Sequence, residues 1–382
     1  MLEVQGYCEP AFNPVRDLLQ QRIAEGNEVG ASLCVNIDGK NVLDIWGGYA
    51  DASRTKPWEK DTLAGVWSST KVVTCLAAHI LVDRGLLDVD EKVATYWPEF
   101  AANGKENVKV SHILSHSSGL PAWDAPITPE EILDTKRATE RLAAQAPWFT
   151  PGERNAYQLS NHGHFIGEIV RRITGKSLTQ FIADEIAGPL SADFRLGLPK
   201  EDWSRAAEMI GFEMPPMTGI DPTSIMASAF MGSALPPTSP NEAGFRNSEN
   251  GAAGGFSNAR ALARIGSMVS LDGVVDGKQY LAVSTLDKMM EEQIRGLDES
   301  VMQYVRFALG VALPSAIASW IPEDEGICFW GGWGGSMLIM DRGRRMTIGY
   351  AMNKMENRVM GNVNSEAYVQ EIYKIVNASK KV

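Results

Sequence analysis

Residues 66–81 read VWSSTKVVTCLAAHIL, and the one formally charged side chain among them is Lys71, three places after Ser68. Three residues span nearly one helical turn, so a Ser-x-x-Lys tetrad on a helix puts hydroxyl and amine on the same face. The amine is then placed to take the serine proton or to activate the hydroxyl electrostatically. Val72, Val73, Leu76, Ala77 and Ile80 follow, which predicts a buried helix behind the pair. A serine at the N-terminus of such a helix gains from the positive end of its dipole, which favours a developing oxyanion. Burial lowers a lysine pKa because desolvation disfavours the ammonium. Spacing alone does not decide the matter: Ser53 and Lys56 share it, yet Pro57 follows and DASRTKPWEKD reads as a polar loop. An N-cap serine beside a lysine that snorkels to water also fits residues 68–71.

The elements that must position the pair follow from periodicity. FNPVRDLLQQRIA predicts a helix over residues 12–24, and ASLCVNIDGKNVLDIW predicts a hairpin turning at Asp38 and Gly39. Residues 63–85 turn helical, and VKVSHILSHSSGLP and FIGEIVRRITGKSLTQFIADEIAGPL add further helix. Strand patterns return only at ICFWGGWGGSMLIMD and RRMTIGYAMN, before an amphipathic helix in SEAYVQEIYKIVNA. Strands at both ends around a helical middle predict a sheet shared by the two ends, a second lobe between them, and a ligand cleft where the lobes meet. Residues 213–245 hold many prolines with Met214, Met217, Met226 and Met231, and read as an irregular, adaptable apolar insertion.

Composition narrows the function. The chain has 382 residues, 44% hydrophobic and 22% charged, enough for one large domain or two interleaved ones. Its 36 basic against 47 acidic residues leave a formal charge of -11, without a Lys/Arg stripe that would track phosphates, which argues against nucleic acid. Cys8, Cys34, Cys75 and Cys328 are far apart and form no metal-ligand spacing, so they read as reduced thiols. The start, MLEVQGYCEP, lacks the basic and apolar regions of a secretory signal. Residues 63–82 are long enough to span a bilayer, but Gly65, Ser68, Ser69, Thr70, Lys71 and His79 make that costly. The expectation is a cytoplasmic protein without membrane or nucleic-acid partners. His112 and His116 stand four apart without the Glu of H-E-x-x-H, so no metal is expected; His162 and His164 are candidates to line the cleft. No serine sits in a G-x-S-x-G elbow.

The tetrad SSTK, then LSHSSGLP, then PGERNAY leading into GEIVRRITGKSLTQFIADEIAGPL, resemble in this order the serine β-lactamase and penicillin-binding-protein superfamily. The similarity runs from about residue 12 to about residue 375 and is greatest to the class C-like branch, with its family VIII carboxylesterases and related transesterases. The resemblance implies an α/β plus α architecture: an antiparallel sheet flanked by helices, built from residues 1–66 and 250–382, with a mainly helical domain, 67–249, inserted. It implies Ser68 as nucleophile, Lys71 beside it, and a proton-relaying tyrosine on a loop of the helical lobe. Counting from Pro151-Gly152 makes that residue Tyr157, whereas aligning Ser160-Asn161 to a Tyr-Ser-Asn form puts Leu159 there; only Tyr157 can move a proton. The family's third element, Lys-Thr-Gly or His-x-Gly on a strand, is here Trp330-Gly331-Gly332, similar to the Trp-Gly-Gly of family VIII esterases. These three are implied to bind substrate, and the backbone N–H groups of Ser68 and Trp333 to form the oxyanion hole.

Loss of the strand cation removes the partner for a penicillin or D-Ala carboxylate, so an uncharged small-molecule ester is the expected substrate and no cofactor is required. The expected activity is ester hydrolysis through an acyl-enzyme. Acyl transfer to an alcohol, weak β-lactamase or D-aminopeptidase activity, and a non-catalytic acyl-binding module remain alternatives. Trp123, Trp148, Trp330, Trp333 and the methionines are candidates for an apolar acyl pocket.

Overall fold

A computed structural model describes residues 3–214, 218–233 and 235–379. The Asp-Gly hairpin forms as expected. Strands Gly30–Ile37 and Lys40–Gly48 pair antiparallel, and Asp38 and Gly39 turn between them with φ of 50° and 82°. Two successive positive φ values define the primed turn whose twist matches that of the strands. Strand Met346–Met352 pairs with Gly30–Ile37, from Met346 opposite Ile37 to Met352 opposite Ala31, so the two ends of the chain meet in one sheet.

That sheet has nine strands. Their order is Gln5–Cys8, Lys40–Gly48, Gly30–Ile37, Met346–Met352, Met337–Asp341, Ile327–Gly331, Ala312–Leu313, Tyr304–Phe307 and Ile294–Leu297, with every neighbour antiparallel. The last three lie where the sequence pattern predicted no strand. They are short, and Ile294–Leu297 contains Gly296 and alternates between half-buried and exposed residues. Edge strands of this kind are defined by pairing rather than by an apolar run.

Alternation across the sheet separates two helical layers. On one face Ala259–Ser270 lies so close that a Cβ on Gly349 would meet the Ala259 carbonyl oxygen at 2.3 Å, and Ser270 Oγ contacts Thr347 Oγ1 at 2.7 Å. Tyr350, next along the strand, points the other way, its ring 5.5 Å from that of Tyr368 in helix Val363–Ser379. Helix Asn13–Ala24 packs beside that helix.

The buried helix predicted after Ser68 is Thr70–Asp83, with residues 70–81 all buried, and it packs against His162–Thr174 and Leu178–Ile182. A helix apolar all round belongs inside a large protein. The stretch 213–245 is less irregular than expected, because Ile225–Ser233 forms a helix. IMASAFMGS contains no proline and two alanines, and Pro236 and Pro237 follow it. Met217 lies outside the described residues. All four cysteines are free, and among the described residues no helix is long and apolar enough to cross a membrane.

Glu28 is fully buried where sheet and terminal helix meet, accepting hydrogen bonds from Tyr350 and Tyr368. Burial pushes its carboxyl up from 4.5 to about 8, against the opposing effect of the two hydroxyls. Between those values the unfolded chain releases a proton that the folded chain keeps, so this group makes stability fall as pH rises, by up to about 1.4 kcal/mol per pH unit. Urea unfolding of wild type and Glu28→Gln is expected to show wild type losing ground steadily across that window and no further above it; a pH-independent difference would refute the assignment.

Candidate active site

Ser68 sits in a single 3-10 turn, Trp67–Ser69, directly before helix Thr70–Asp83. Trp67 has φ of +45°, a left-handed conformation that a bulky side chain adopts only when its surroundings enforce it. The enforcement is visible on both sides. Val66 N–H donates to Gly255 O and Gly255 N–H donates to Thr70 Oγ1, which fixes the turn to strand Gly255–Ser257. Ser336 Oγ donates to Val66 O at 2.8 Å and lies 3.0 Å from Ser69 Oγ, which fixes it to the loop after Ile327–Gly331.

Lys71 is 1% exposed, so it does not snorkel. Its Nζ lies 3.1 Å from Ser68 Oγ, 2.8 Å from Leu159 O and 3.1 Å from Ala252 O. Burial drives its pKa well below the usual lysine value. The three neighbours then determine orientation. Carbonyl oxygens only accept, so in a neutral amine both N–H bonds go to Leu159 and Ala252 and the lone pair faces the Ser68 hydroxyl. The other tetrad makes none of this: Ser53 bonds Asp51, and exposed Lys56 reaches Ser204 O.

Tyr157 comes from an irregular segment of the helical region and is 3% exposed. Its hydroxyl accepts from Trp330 Nε1 at 2.9 Å, while Lys71 Nζ stands 4.6 Å from its ring centre. Burial raises the phenol pKa, against the opposing effect of the polar neighbours Ser68 and Trp330. Leu159, the other sequence placement, contributes its carbonyl to Lys71. His116 supports the loop from beneath: its ring is 4.7 Å from that of Tyr157, and its Nδ1 accepts from Gln158 N–H at 3.2 Å.

Above Ser68 opens a cavity of about 350 Å³ whose wall includes Trp67, Trp333, Met214, Phe230, Leu235 and Val301. Of the tryptophans proposed for an acyl pocket, only Trp333 takes part. Trp330 is buried beneath, against Tyr157 and Phe307; Trp123 donates to Ala138 O, and Trp148 to Asp124. Gly331 and Gly332 do not line the cavity, and their missing side chains make room for protein rather than substrate. A Cβ on Gly332 would meet Val66 O and Ser336 Oγ, each at 2.2 Å. That contact brings the strand end and Trp333 against the nucleophile turn. His162 and His164 are buried in the helical region instead of facing the cleft, and burial holds them down to about 3 and about 4. Half-buried His112 accepts from Lys109 N–H of its own helix; no group of three or more metal-ligating residues occurs among the described residues. Trp67, Phe230, Leu235 and Val301 carried no sequence signal, since apolar residues from distant segments are indistinguishable in order from core.

A model of the beta-lactamase family matches residues 15–370. The chain belongs to the beta-lactamase family. Within it, the esterase/beta-lactamase LipL of Mycobacterium tuberculosis (strain ATCC 25618 / H37Rv) is 32% identical over 319 residues, 80% of this chain and 74% of that protein. The crystal structure of a family VIII carboxylesterase superposes with a TM-score of 0.90 at 33% identity, over 98% of this chain and 100% of the other. A penicillin-binding protein homolog from Caulobacter crescentus gives 0.90 at 32% identity, over 97% and 99%. The mixed fold with an antiparallel sheet and flanking helices is thus the one the sequence resemblance implied.

Gly332→Ala is expected to lower stability by about 1–3 kcal/mol, because Val66 O is backbone and cannot rotate aside. Urea unfolding measures this, and an unchanged midpoint would show that the strand end retreats without cost.

Proposed function

We propose that this family member is a carboxylesterase-type serine hydrolase working through an acyl-enzyme on Ser68. The observation that carries the reading is the lysine amine held by two carbonyls with its remaining direction on Ser68 Oγ, at the floor of an apolar cavity. Opposite pKa displacements support these roles: burial pushes Lys71 toward the neutral amine and keeps Tyr157 protonated.

In the proposed reaction Ser68 Oγ attacks the ester carbonyl carbon and its proton passes to Lys71. The oxyanion is received by the backbone N–H groups of Ser68 and Trp333. As the C–O bond to the alcohol breaks, Tyr157 protonates the leaving oxygen; Trp330 N–H and the Lys71 ammonium stabilise the phenolate left behind. Water then attacks the acyl carbon and gives a proton to that phenolate. Collapse of the second tetrahedral intermediate returns the Lys71 proton to Ser68 Oγ and releases the acid.

The substrate class follows from the walls. Among the described residues lining the cavity none is Lys, Arg or His, and Trp330 occupies the strand position where the family resemblance implies a cation. This favours a neutral ester of a medium-length acyl group. LipL is named for both esterase and beta-lactamase activity; without a cation for the carboxylate of a penicillin, nitrocefin turnover by this chain is expected to be slow. Among the described residues the site needs no metal or organic cofactor for these steps. The division into lobes 1–66 with 250–382, and 67–249, is kept as part of this proposal, as is a cytoplasmic location.

Wild type is expected to turn over p-nitrophenyl butyrate with an acyl adduct visible by intact mass, and Ser68→Ala to show neither; retained turnover in Ser68→Ala would sink the mechanism. Lys71→Ala, and Tyr157→Phe with the poorer leaving group of phenyl butyrate, are each expected to cost about two orders of magnitude. In a chain-length series kcat/KM is expected to rise up to about fourfold per added methylene until the cavity fills, since each buried methylene contributes about 0.8 kcal/mol. A preference for acetyl would count against the pocket.

A further inference from the structure

Asp298 follows directly on strand Ile294–Leu297, at the far edge of the sheet in sequence terms from Ser68, and it is completely buried. Its carboxylate has four N–H neighbours. Oδ1 accepts from the backbone of Tyr157 at 3.1 Å, of Ser300 at 2.9 Å and of Val301 at 3.0 Å, and Oδ2 accepts from Asn155 Nδ2 at 3.4 Å. The exchange runs both ways, because Glu299 N–H donates to Asn155 O at 3.1 Å. Among the described residues no Lys or Arg forms an ion pair with this carboxylate. Burying such a charge is costly unless N–H donors replace water, and here two of the four come from the loop that carries Tyr157. A carboxylate needed only to close its own turn would be served by Ser300 and Val301.

We propose that Asp298 is a positioning residue for Tyr157: it grips the backbone N–H of Tyr157 and the side-chain amide of Asn155, and so sets where the phenol meets Ser68 and the leaving oxygen. The inference rests on the role given to Tyr157 above. It also ties that phenol to the cavity wall, since Val301, held by the same oxygen, lines the cavity. A loop set by one hydrogen-bonded anchor can drift by a fraction of an ångström when the anchor goes, enough to weaken proton delivery without emptying the pocket.

Proton delivery matters most for a poor leaving group, which supplies a readout that general loosening of the fold does not share. Asp298→Asn, Asp298→Ala and Asn155→Ala would be assayed on phenyl butyrate and p-nitrophenyl butyrate, alone and in a Tyr157→Phe background. Asp298→Ala is expected to slow phenyl butyrate about tenfold and the nitrophenyl ester about threefold or less, with KM within about twofold. Asp298→Asn, whose amide oxygen can still accept, should fall between Asp298→Ala and wild type. In the Tyr157→Phe background the same substitutions should add no further loss on phenyl butyrate. Equal losses on both esters, or losses that multiply in Tyr157→Phe, would overturn the positioning role. Should Asp298→Ala fail to fold, Asp298→Asn and Asn155→Ala carry the same comparison. A Tyr157→Phe enzyme that does not itself discriminate between the leaving groups would remove the role of Tyr157 first, and this inference with it.

Discussion

A lysine amine buried with no carboxylate partner among the described residues is the constraint around which this molecule is arranged. Lys71 has lost its water and gained two backbone carbonyls and one serine hydroxyl. Neither carbonyl is local: Leu159 belongs to the Tyr157 segment and Ala252 to the turn before strand Gly255–Ser257. The polar satisfaction of one nitrogen therefore requires three remote pieces of chain to be in place together. Because unpaired polar groups in an interior are costly, a misplacement of either piece is felt at the amine. The same desolvation that makes the group expensive lowers its pKa, which suits the base role proposed for it.

Sheet and helical region contribute unlike things to the site. The helical region supplies the proposed reacting groups, Ser68 at the entry to a fully buried helix and Tyr157 on a loop. The sheet supplies what holds them: Trp330 donating to the Tyr157 hydroxyl, Phe307 against its ring, Gly332 pressed on Val66 and Ser336 pinning the nucleophile turn. Hydrogen-bonded strands are stiff, so placing the supports there and the reacting groups opposite defines the gap between them. In the proposed reaction the two titrating groups are displaced in opposite directions by the same burial, which sorts base from acid without any ionised carboxylate bound to either side chain.

Trp330 does not line the cavity: its indole turns inward, and its N–H donates to the Tyr157 hydroxyl. The wall beyond includes Trp67, Trp333 and Val301, with Met214, Phe230, Leu235, Pro236 and Pro237 from the proline- and methionine-rich stretch. The names esterase, beta-lactamase and penicillin-binding protein carried by its relatives are what one fold hosting several functions would show.

The sequence by itself determined the helix behind Ser68, the Asp-Gly hairpin, the shared sheet from both chain ends and the family, because each rests on local spacing: a one-turn tetrad, a two-residue turn, alternation, and motifs in order. It also distinguished Ser68 and Lys71 from Ser53 and Lys56, since an apolar run follows only the first pair. Tertiary structure alone decided which carbonyls hold Lys71, that Trp330 faces Tyr157 rather than the cavity, which apolar residues line the cavity, and that Asp298 grips the Tyr157 loop from 141 positions away. It decided, too, that Ile294–Leu297, Tyr304–Phe307 and Ala312–Leu313 are strands. These are long-range pairings and contacts, and nothing in the order of residues along a chain distinguishes an apolar side chain that lines a cavity from one that fills a core.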